Sequence, residues 1–354
     1  MLSKVYNDLI LEIKANKYDF LRFDLIKQDA IKDIAAQLAL KYDIVVVIGF
    51  GASSLNVRAL LSIKAVATKR LIYLDSLEQL EIDEKLALVD LSKAVFFSLS
   101  KSGNTDETYL LTKYILEVLH VPPQNIYVIV PFSNNLLRNL AESFGTNCLE
   151  HDNIRSGRFG VISNASLLPT AVVGVDVHKV VLAASKKISD IIFDGFNICE
   201  IAEYYLNQYS LNRHMLVMFN YCYQLDGLCR WQQQIIAESL GKNGFGITPI
   251  IAKGTFDQHS QLQLYLEGPD DKFYQVITNK ASSDIEIALT AHANNIYNAL
   301  DQVKRPVKLE NFVYIDEQVI VDQIIHVMLS TILIANHLKI DPFNQPSVDE
   351  YKKV

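Results

Sequence analysis

The chain of 354 residues contains few cysteines, and their spacing excludes the common cysteine-based sites. Cys148, Cys199, Cys222 and Cys229 form no CxxC pair and no Cys/His set with the spacing of a zinc site. They therefore predict reduced thiols in a cytoplasmic protein, with neither disulfides nor a bound metal.

Uninterrupted apolar segments of membrane-spanning length are also missing. Residues 1–20 carry scattered charges, unlike the apolar centre of a secretory signal peptide. The two most apolar stretches, residues 167–184 and 319–335, are interrupted by Asp176 and Asp322 respectively. Each stretch therefore predicts a buried helix, and no membrane partner is expected.

An excess of positive charge is lacking as well. The chain has 33 Lys and Arg against 40 Asp and Glu, which gives a net charge of -7. This balance argues against general nucleic-acid binding. It leaves an anionic small ligand open, because a local group of backbone amides binds phosphate on an acidic protein.

What the chain does contain is a regular alternation of strand and helix patterns. Continuous apolar runs separated by helical segments predict parallel sheets covered by helices on both faces. The predicted strands occupy residues 44–49, 71–74, 94–99, 126–130, 215–219, 247–252 and 273–278. We predict an α/β protein with two domains of three layers each, at residues 1–175 and 176–338, followed by a C-terminal tail at residues 339–354.

Two loops in the first half follow predicted strands and open helices. Residues 49–53 (GFGAS) contain Ser53, and residues 100–105 (SKSGNT) contain two serines and a threonine. Loops of this kind lie at the carboxyl edge of a parallel sheet, where free amides and the helix dipole attract phosphate. Thr105 also suits helix capping, so capping without any ligand is the alternative. Neither loop fits a nucleotide-binding motif.

Three further segments carry groups suited to proton transfer. Arg158 follows Gly157 and suits an anion or a developing oxyanion, although a solvated arginine is the alternative. Glu238 lies near the end of a predicted helix, and His259 lies in a polar segment directly after a strand. A carboxylate and an imidazole are the groups needed to move a proton between neighbouring carbons of a sugar. An exposed glutamate and a structural histidine are the alternatives.

Five sequence blocks, in order, resemble the phosphoglucose isomerase family. They are GFGAS at 49–53 (family GIGGS), SKSGNTDET at 100–108 (SK[ST]xxTxET), SGRF at 156–159 (GGR[FY]), ESLGK at 238–242 (ESxGK) and QPSVDEYK at 345–352 (QxGVExxK). The resemblance covers the chain from about residue 48 to residue 352. It implies two SIS-type domains, each a parallel sheet flanked by helices.

The resemblance also implies the reaction. It indicates interconversion of glucose 6-phosphate and fructose 6-phosphate, in glycolysis and gluconeogenesis, without metal or organic cofactor. Glu238 is expected to shuttle the proton between C1 and C2, and Arg158 to stabilise the cis-enediolate. His259 and Lys352 are expected to assist ring opening. In the family the histidine enters from the neighbouring subunit, so a cytoplasmic homodimer is expected, with no nucleic-acid or membrane partner.

The remaining roles implied by the resemblance concern substrate binding. Residues expected to contact the phosphate or the sugar are Ser53, Ser100, Lys101, Ser102, Thr105, Gln234 and Gln345. The chain departs from the family where Ala52 and Ser156 replace glycines, and a Cβ at either position is expected to crowd a nearby ligand.

Two other functions remain open from the sequence. A dual phosphoglucose and phosphomannose isomerase shares the SGNT loop, but Gln345 argues against it. A non-catalytic SIS module that senses sugar phosphates needs the serine-containing loop, but it does not need Glu238, His259 and Lys352 together.

Overall fold

The computed structural model describes residues 2–23, 25–64, 67–193 and 196–351. Contacts divide the chain into two compact units. The first-sheet unit is Tyr18–Ala183, and the second-sheet unit combines Met1–Lys17 with Ala184–Val354. The predicted boundaries at 1–175, 176–338 and 339–354 stay a prediction.

Each unit is built on one parallel sheet. The first has the strand order β2-β1-β3-β4-β5 and the second the order β7-β6-β8-β9. The strands are β1 Ile44–Ile48, β2 Arg70–Leu74, β3 Ala94–Leu99, β4 Ile126–Val130, β5 Asn147–Glu150, β6 Met215–Asn220, β7 Thr248–Lys253, β8 Lys272–Asn279 and β9 Val307–Phe312. Every strand pair within the two sheets is parallel.

Helices connect the strands and pack against both sheets. They are α1 Ser3–Lys14, α2 Leu25–Lys41, α3 Ala52–Leu61, α4 Gln79–Leu86, α5 Asp106–Glu117, α6 Leu136–Phe144, α7 Asn164–Val172, α8 Val177–Phe193, α9 Phe196–Ser210, α10 Asp226–Leu240, α11 Phe256–Ser260, α12 Leu262–Glu267, α13 Asp284–Gln302, α14 Glu317–His337 and α15 Pro346–Tyr351. The predicted fold, parallel sheets flanked by helices in the SIS-type arrangement, is confirmed.

The apolar pattern of the strands explains the layers. Every residue of β3 is buried, as expected for a strand covered on both faces. Consecutive residues of β8 face opposite layers: Phe273 packs on Tyr205 of α9, whereas Tyr274 packs on Tyr265 of α12. Burial of large apolar side chains of this kind is the main favourable contribution to the folding free energy of each unit.

Within the described residues, one helix is long and apolar enough to cross a membrane by length and composition alone. It is α14, and 72% of its most apolar 18-residue segment is buried inside the protein. It packs against α1, α9 and α10 within the second-sheet unit. This is the arrangement of a core helix, as predicted for residues 319–335.

Candidate active site

The order of strands in the first sheet places a crevice between β1 and β3. In open α/β sheets of this order, ligands bind at the carboxyl edge where the strand order reverses. The loop of residues 49–53 follows β1, and residues 100–105, here called the serine loop, follow β3. A Cβ on Gly49 would lie 2.8 Å from Ser53 Cβ and 3.4 Å from the Leu99 carbonyl oxygen. The two loops therefore begin side by side at the expected edge.

Three hydroxyl groups of the serine loop lie close together. Ser100 Oγ is 3.1 Å from Thr105 Oγ1, and Ser102 Oγ is 3.5 Å from each of these oxygens. The loop bends back so that the Gly103 amide donates to Ser100 Oγ at 3.0 Å. A compact triad of hydroxyls beside a helix N-terminus is suited to the oxygens of a phosphate.

Helix capping does not account for these hydroxyls. Thr105 occupies the N-cap position of α5, but its side chain accepts no hydrogen bond from the described amides of that helix. Thr108, in the first turn, is 1% exposed, and its hydroxyl has no partner among the described residues. A buried polar atom without a partner costs free energy unless a ligand or water satisfies it. Thr108 is not among the site residues predicted from the sequence.

The second sheet offers an internal comparison. β8 holds the same place in its sheet as β3 does in the first, and the residues after β8 also include two serines. There the Glu286 carboxylate binds Ser282: it accepts from the Ser282 amide at 2.7 Å and from the Ser282 hydroxyl. The hydroxyl hydrogen bond lowers the pKa of Glu286. This loop carries its own anion, whereas no described carboxylate bonds to the serine-loop hydroxyls.

A buried arginine lies on a turn that joins both loops. Arg158 is 3% exposed and belongs to a 3₁₀ turn at Gly157–Phe159. Asn56 of α3 donates its amide to the Gly157 carbonyl at 2.9 Å, and Lys101 of the serine loop donates to the Arg155 carbonyl at 3.0 Å. Three of the predicted blocks are thus brought together in the first-sheet unit. Lys101 reaches this turn, and its predicted contact with substrate stays a prediction.

The alanine that replaces a family glycine lies against the same turn. A Cβ on Gly157 would lie 3.4 Å from the Ala52 methyl group, so the two positions are closely packed. Gly51, which precedes Ala52, has a φ of 54°, a conformation that favours glycine. The Ala52 methyl group therefore faces Gly157, at the start of the Arg158 turn.

A carboxylate anchors the helix that carries Ser53. Ser54 donates to Asp75 Oδ2 at 2.8 Å, and the Arg58 guanidinium approaches the same oxygen at 2.7 Å. Lys85 lies 3.5 Å from the other oxygen. Burial opposes ionisation of Asp75 most strongly, but Arg58, Ser54 and Lys85 together lower its pKa. The first turn of α3 is thereby tied to the end of β2.

This anchor gives a pH-dependent stability. Because the folded protein lowers the pKa of Asp75, its contribution is present above the ordinary value of 3.8 and is lost as the pH falls through the folded value. We expect the urea midpoints of wild type and Asp75→Asn to differ at pH 7 and to converge on acidification. Asp43→Asn, at an exposed position, serves as the control. A difference that grows on acidification would contradict the assignment.

In the second-sheet unit, the predicted base lies in the last turn of α10. Gln234, one turn earlier, donates its amide to Glu238 Oε1 at 2.9 Å. The side-chain oxygen of Gln234, Oε1, is buried without a partner among the described residues. The structure thus pairs two of the predicted residues and leaves a buried acceptor beside the carboxylate.

The segment after α10 is linked to the C-terminal tail. Lys242 donates to the Ser239 carbonyl at 3.3 Å and to the Asp341 carbonyl at 2.5 Å. The Gln345 carbonyl accepts from the Val348 amide at 3.0 Å, which begins α15. These bonds bring the ESLGK block and the tail together. The predicted Lys352 lies outside the described residues.

His259 lies on the short helix α11, where its side chain is exposed. Asp257 holds this segment by accepting from the Lys253 amide at 2.7 Å and from the Ser260 hydroxyl at 2.9 Å. Thr255 has a φ of 63°, a strained conformation for a β-branched residue. The backbone before His259 is therefore locally strained and held by side-chain contacts.

The structure places Glu238 and His259 at opposite edges of the second sheet. α10 returns the chain from the end of β6 to the start of β7, so Glu238 lies at the amino edge. β7 then carries the chain to the carboxyl edge before His259. Its six residues span about 20 Å. Within one copy of this unit, the length of β7 therefore lies between the two groups.

Metal ligation has no obvious donor set in the described part of the chain. Within residues 2–23, 25–64, 67–193 and 196–351, no three His, Cys, Asp or Glu side chains are grouped in a way that would hold a metal ion.

Comparison with known proteins identifies the family. No protein-family model matches the chain. A probable glucose-6-phosphate isomerase of Methanococcus maripaludis is 31% identical over 261 residues, which cover 70% of this chain and 59% of the relative. The glucose-6-phosphate isomerase of Methanocaldococcus jannaschii is 28% identical over 345 residues, or 88% of this chain and 83% of the relative. This chain belongs to the glucose-6-phosphate isomerase family.

A solved structure supports the fold independently. A hypothetical protein of Thermus thermophilus superposes with a TM-score of 0.85 at 24% identity, covering 99% of this chain and 92% of that one. At this identity the likeness shows the fold alone and says nothing of activity. The matched segment spans only 59% of the Methanococcus relative, so activity is argued from the residues below.

Proposed function

We propose that this protein interconverts glucose 6-phosphate and fructose 6-phosphate, as the names of its relatives indicate for those proteins. The observation that carries the proposal is the serine loop, whose three hydroxyls lie within 3.5 Å of one another beside an uncapped helix N-terminus. Such a group suits the phosphate of a sugar phosphate. A place in glycolysis and gluconeogenesis, and a cytoplasmic location, belong to the same proposal.

The proposed reaction begins with the ring-closed sugar. Ser100, Ser102 and Thr105 bind the phosphate, and His259 with Lys352 moves a proton from the anomeric hydroxyl to the ring oxygen. The C1–O5 bond breaks and the aldehyde forms. Remote binding of the phosphate holds the reacting carbons in place, which is worth several orders of magnitude in rate.

Isomerisation then transfers one proton between carbons. The Glu238 carboxylate removes the C2 proton of the open aldose, and the electron pair forms the C1–C2 double bond of a cis-enediolate. Arg158 stabilises the developing oxyanion, as a positioned cation does. The proton of the C2 hydroxyl moves to the C1 oxygen, and Glu238 returns its proton to C1, so that a carbonyl forms at C2 and the ketose results. Gln234 and Gln345 are proposed to contact the sugar hydroxyls.

We propose that His259 acts in the site of a second copy of the chain, in a homodimer. The separation of Glu238 and His259 across β7 supports this arrangement. Apolar side chains also lie exposed at the carboxyl edge near His259: Tyr223, Phe256, Ile285 and Tyr314 are each more than two-thirds exposed. Exposed apolar groups of this kind are typical of protein interfaces.

The alternative functions are separated by assays. Coupled assays of purified protein with fructose 6-phosphate, glucose 6-phosphate and mannose 6-phosphate test the proposal directly. Turnover of the glucose and fructose phosphates alone is the expected result. Comparable turnover of mannose 6-phosphate would favour the dual isomerase. Tight binding without turnover would favour the sensor.

The serine loop yields a prediction for substrate affinity. We expect Ser100→Ala and Thr105→Val each to raise KM for fructose 6-phosphate about tenfold or more, because each removes a hydrogen bond to a charged phosphate. The change in kcat should be smaller. Ser283→Ala, in the comparable loop after β8, serves as the control with an unchanged KM. Equal KM values for wild type and both loop variants would exclude this phosphate site.

A further inference from the structure

The conformation of the serine loop depends on a residue outside it. Gly103 has a φ of 68°, and a Cβ on this glycine would overlap the side-chain amide of Asn135. Asn135 lies in the β4–α6 connection and is 4% exposed. The loop backbone therefore rests directly on a buried asparagine from a neighbouring connection.

The asparagine is held on both sides. Its amide nitrogen donates to the Pro131 and Ser133 carbonyls, each at 2.9 Å, and its oxygen accepts from the Arg138 amide at 2.9 Å. Asn135 is thus also the N-cap of α6. All of its hydrogen bonds go to local backbone, so the side chain forms a fixed surface for Gly103.

The remaining free amides at the start of α6 bind the serine loop itself. The Leu136 amide donates to Asn104 Oδ1 and the Leu137 amide donates to the Gly103 carbonyl, both at 3.0 Å. The first amides of a helix need partners from outside the helix. In α6 these partners come from the loop, whereas no side chain caps α5, into which the loop leads.

We propose that Asn135 and Asn104 are positioning residues for phosphate binding, through a clamp between the serine loop and the start of α6. This inference rests on the proposed function of the loop. The clamp uses the N-terminus of α6 to hold Gly103 and Asn104, and it fixes the spacing of the three hydroxyls before a ligand arrives. Binding then requires less ordering of the loop, which increases affinity.

The test compares Asn135→Ala with a matched loss of another helix cap. Glu78 caps α4 by accepting from the Leu80 and Glu81 amides, in the same unit, so Glu78→Ala is the control. Both variants should lower the thermal midpoint. Only Asn135→Ala should raise KM for fructose 6-phosphate and Kd for inorganic phosphate, by about tenfold, with little change in kcat.

A second measurement does not need enzymatic activity. The Gly103 and Asn104 amides donate to Ser100 Oγ and Ser102 Oγ, so their hydrogen exchange reports the loop geometry. We expect Asn135→Ala to speed exchange at both amides, whereas Glu78→Ala should not. Asn104→Ala should act in the same direction, and Asn104→Asp, which keeps the acceptor for Leu136, should restore slow exchange.

The outcomes separate this inference from the proposed function. If the wild type lacks isomerase activity, the proposed reaction is wrong. If hydrogen exchange at Gly103 and Asn104 still depends on Asn135 in that case, the clamp is supported. Wild-type activity with exchange unchanged in Asn135→Ala would overturn the clamp. An equal rise in KM for Asn135→Ala and Glu78→Ala would also overturn it, because general destabilisation would then explain the effect.

Discussion

Replacing Glu238 with glutamine is expected to lower kcat for isomerisation by about 10²–10⁴-fold, the range typical for loss of a general acid–base group. The glutamine retains a carbonyl oxygen to accept the bond from Gln234, which spans 2.9 Å in the wild type. The fold of α10 should therefore persist, and only the proton acceptor is lost. Kd for fructose 6-phosphate should stay close to the wild-type value.

Deuterium exchange makes this test specific. In D₂O the wild-type enzyme should place deuterium on the carbon that receives the proton, whereas Glu238→Gln should not. Glu203→Gln changes an exposed carboxylate on the neighbouring helix α9 and should behave as wild type. Normal turnover or exchange in Glu238→Gln would remove Glu238 from the mechanism.

The second large effect concerns His259 and the subunit to which it contributes. His259→Ala alone should lower turnover of the ring-closed substrate by about 10²-fold or more. A heterodimer that joins one Glu238→Gln chain to one His259→Ala chain should recover about half of the wild-type activity, because one of its two sites receives both intact groups. The physical basis is the position of the two residues at opposite edges of one sheet.

Two affinity tags, one on each variant, allow the heterodimer to be purified and assayed. If His259 served its own chain, both sites of the heterodimer would lack one group and activity would stay at the level of the single variants. Each variant purified as its own homodimer provides the baseline. Failure of the two tagged chains to co-purify would contradict the homodimer.

The site residues carried by strong local signals could be predicted from the sequence. Ser100, Ser102 and Thr105 lie between a strand and a helix, and the structure brings their hydroxyls together. Glu238 and Gln234 share one helix face because they are one turn apart, and the structure pairs them. Residues that share one short loop, or that lie one helical turn apart, have little conformational freedom relative to each other.

Other residues that hold the site in place have no recognisable local pattern in the sequence. Asn56 and Asn135 are ordinary polar residues in sequence, and their importance comes from backbone groups that lie far away along the chain, at Gly157 and Gly103. The edge strands β5 and β9 were missed for a related reason. Both are partly exposed and lack the continuous apolar pattern that marks a central strand.

The sequence by itself determined the α/β class, the parallel sheets and the loops that follow their strands, because apolar runs and glycine- or serine-rich turns act locally. It could not decide how distant segments meet. Glu238 and His259 are close along the chain, yet β7, which spans about 20 Å, runs between them from one edge of the sheet to the other. Tertiary structure decided this separation, because a helix that returns antiparallel to its sheet delivers its last turn to the edge opposite the next strand's end.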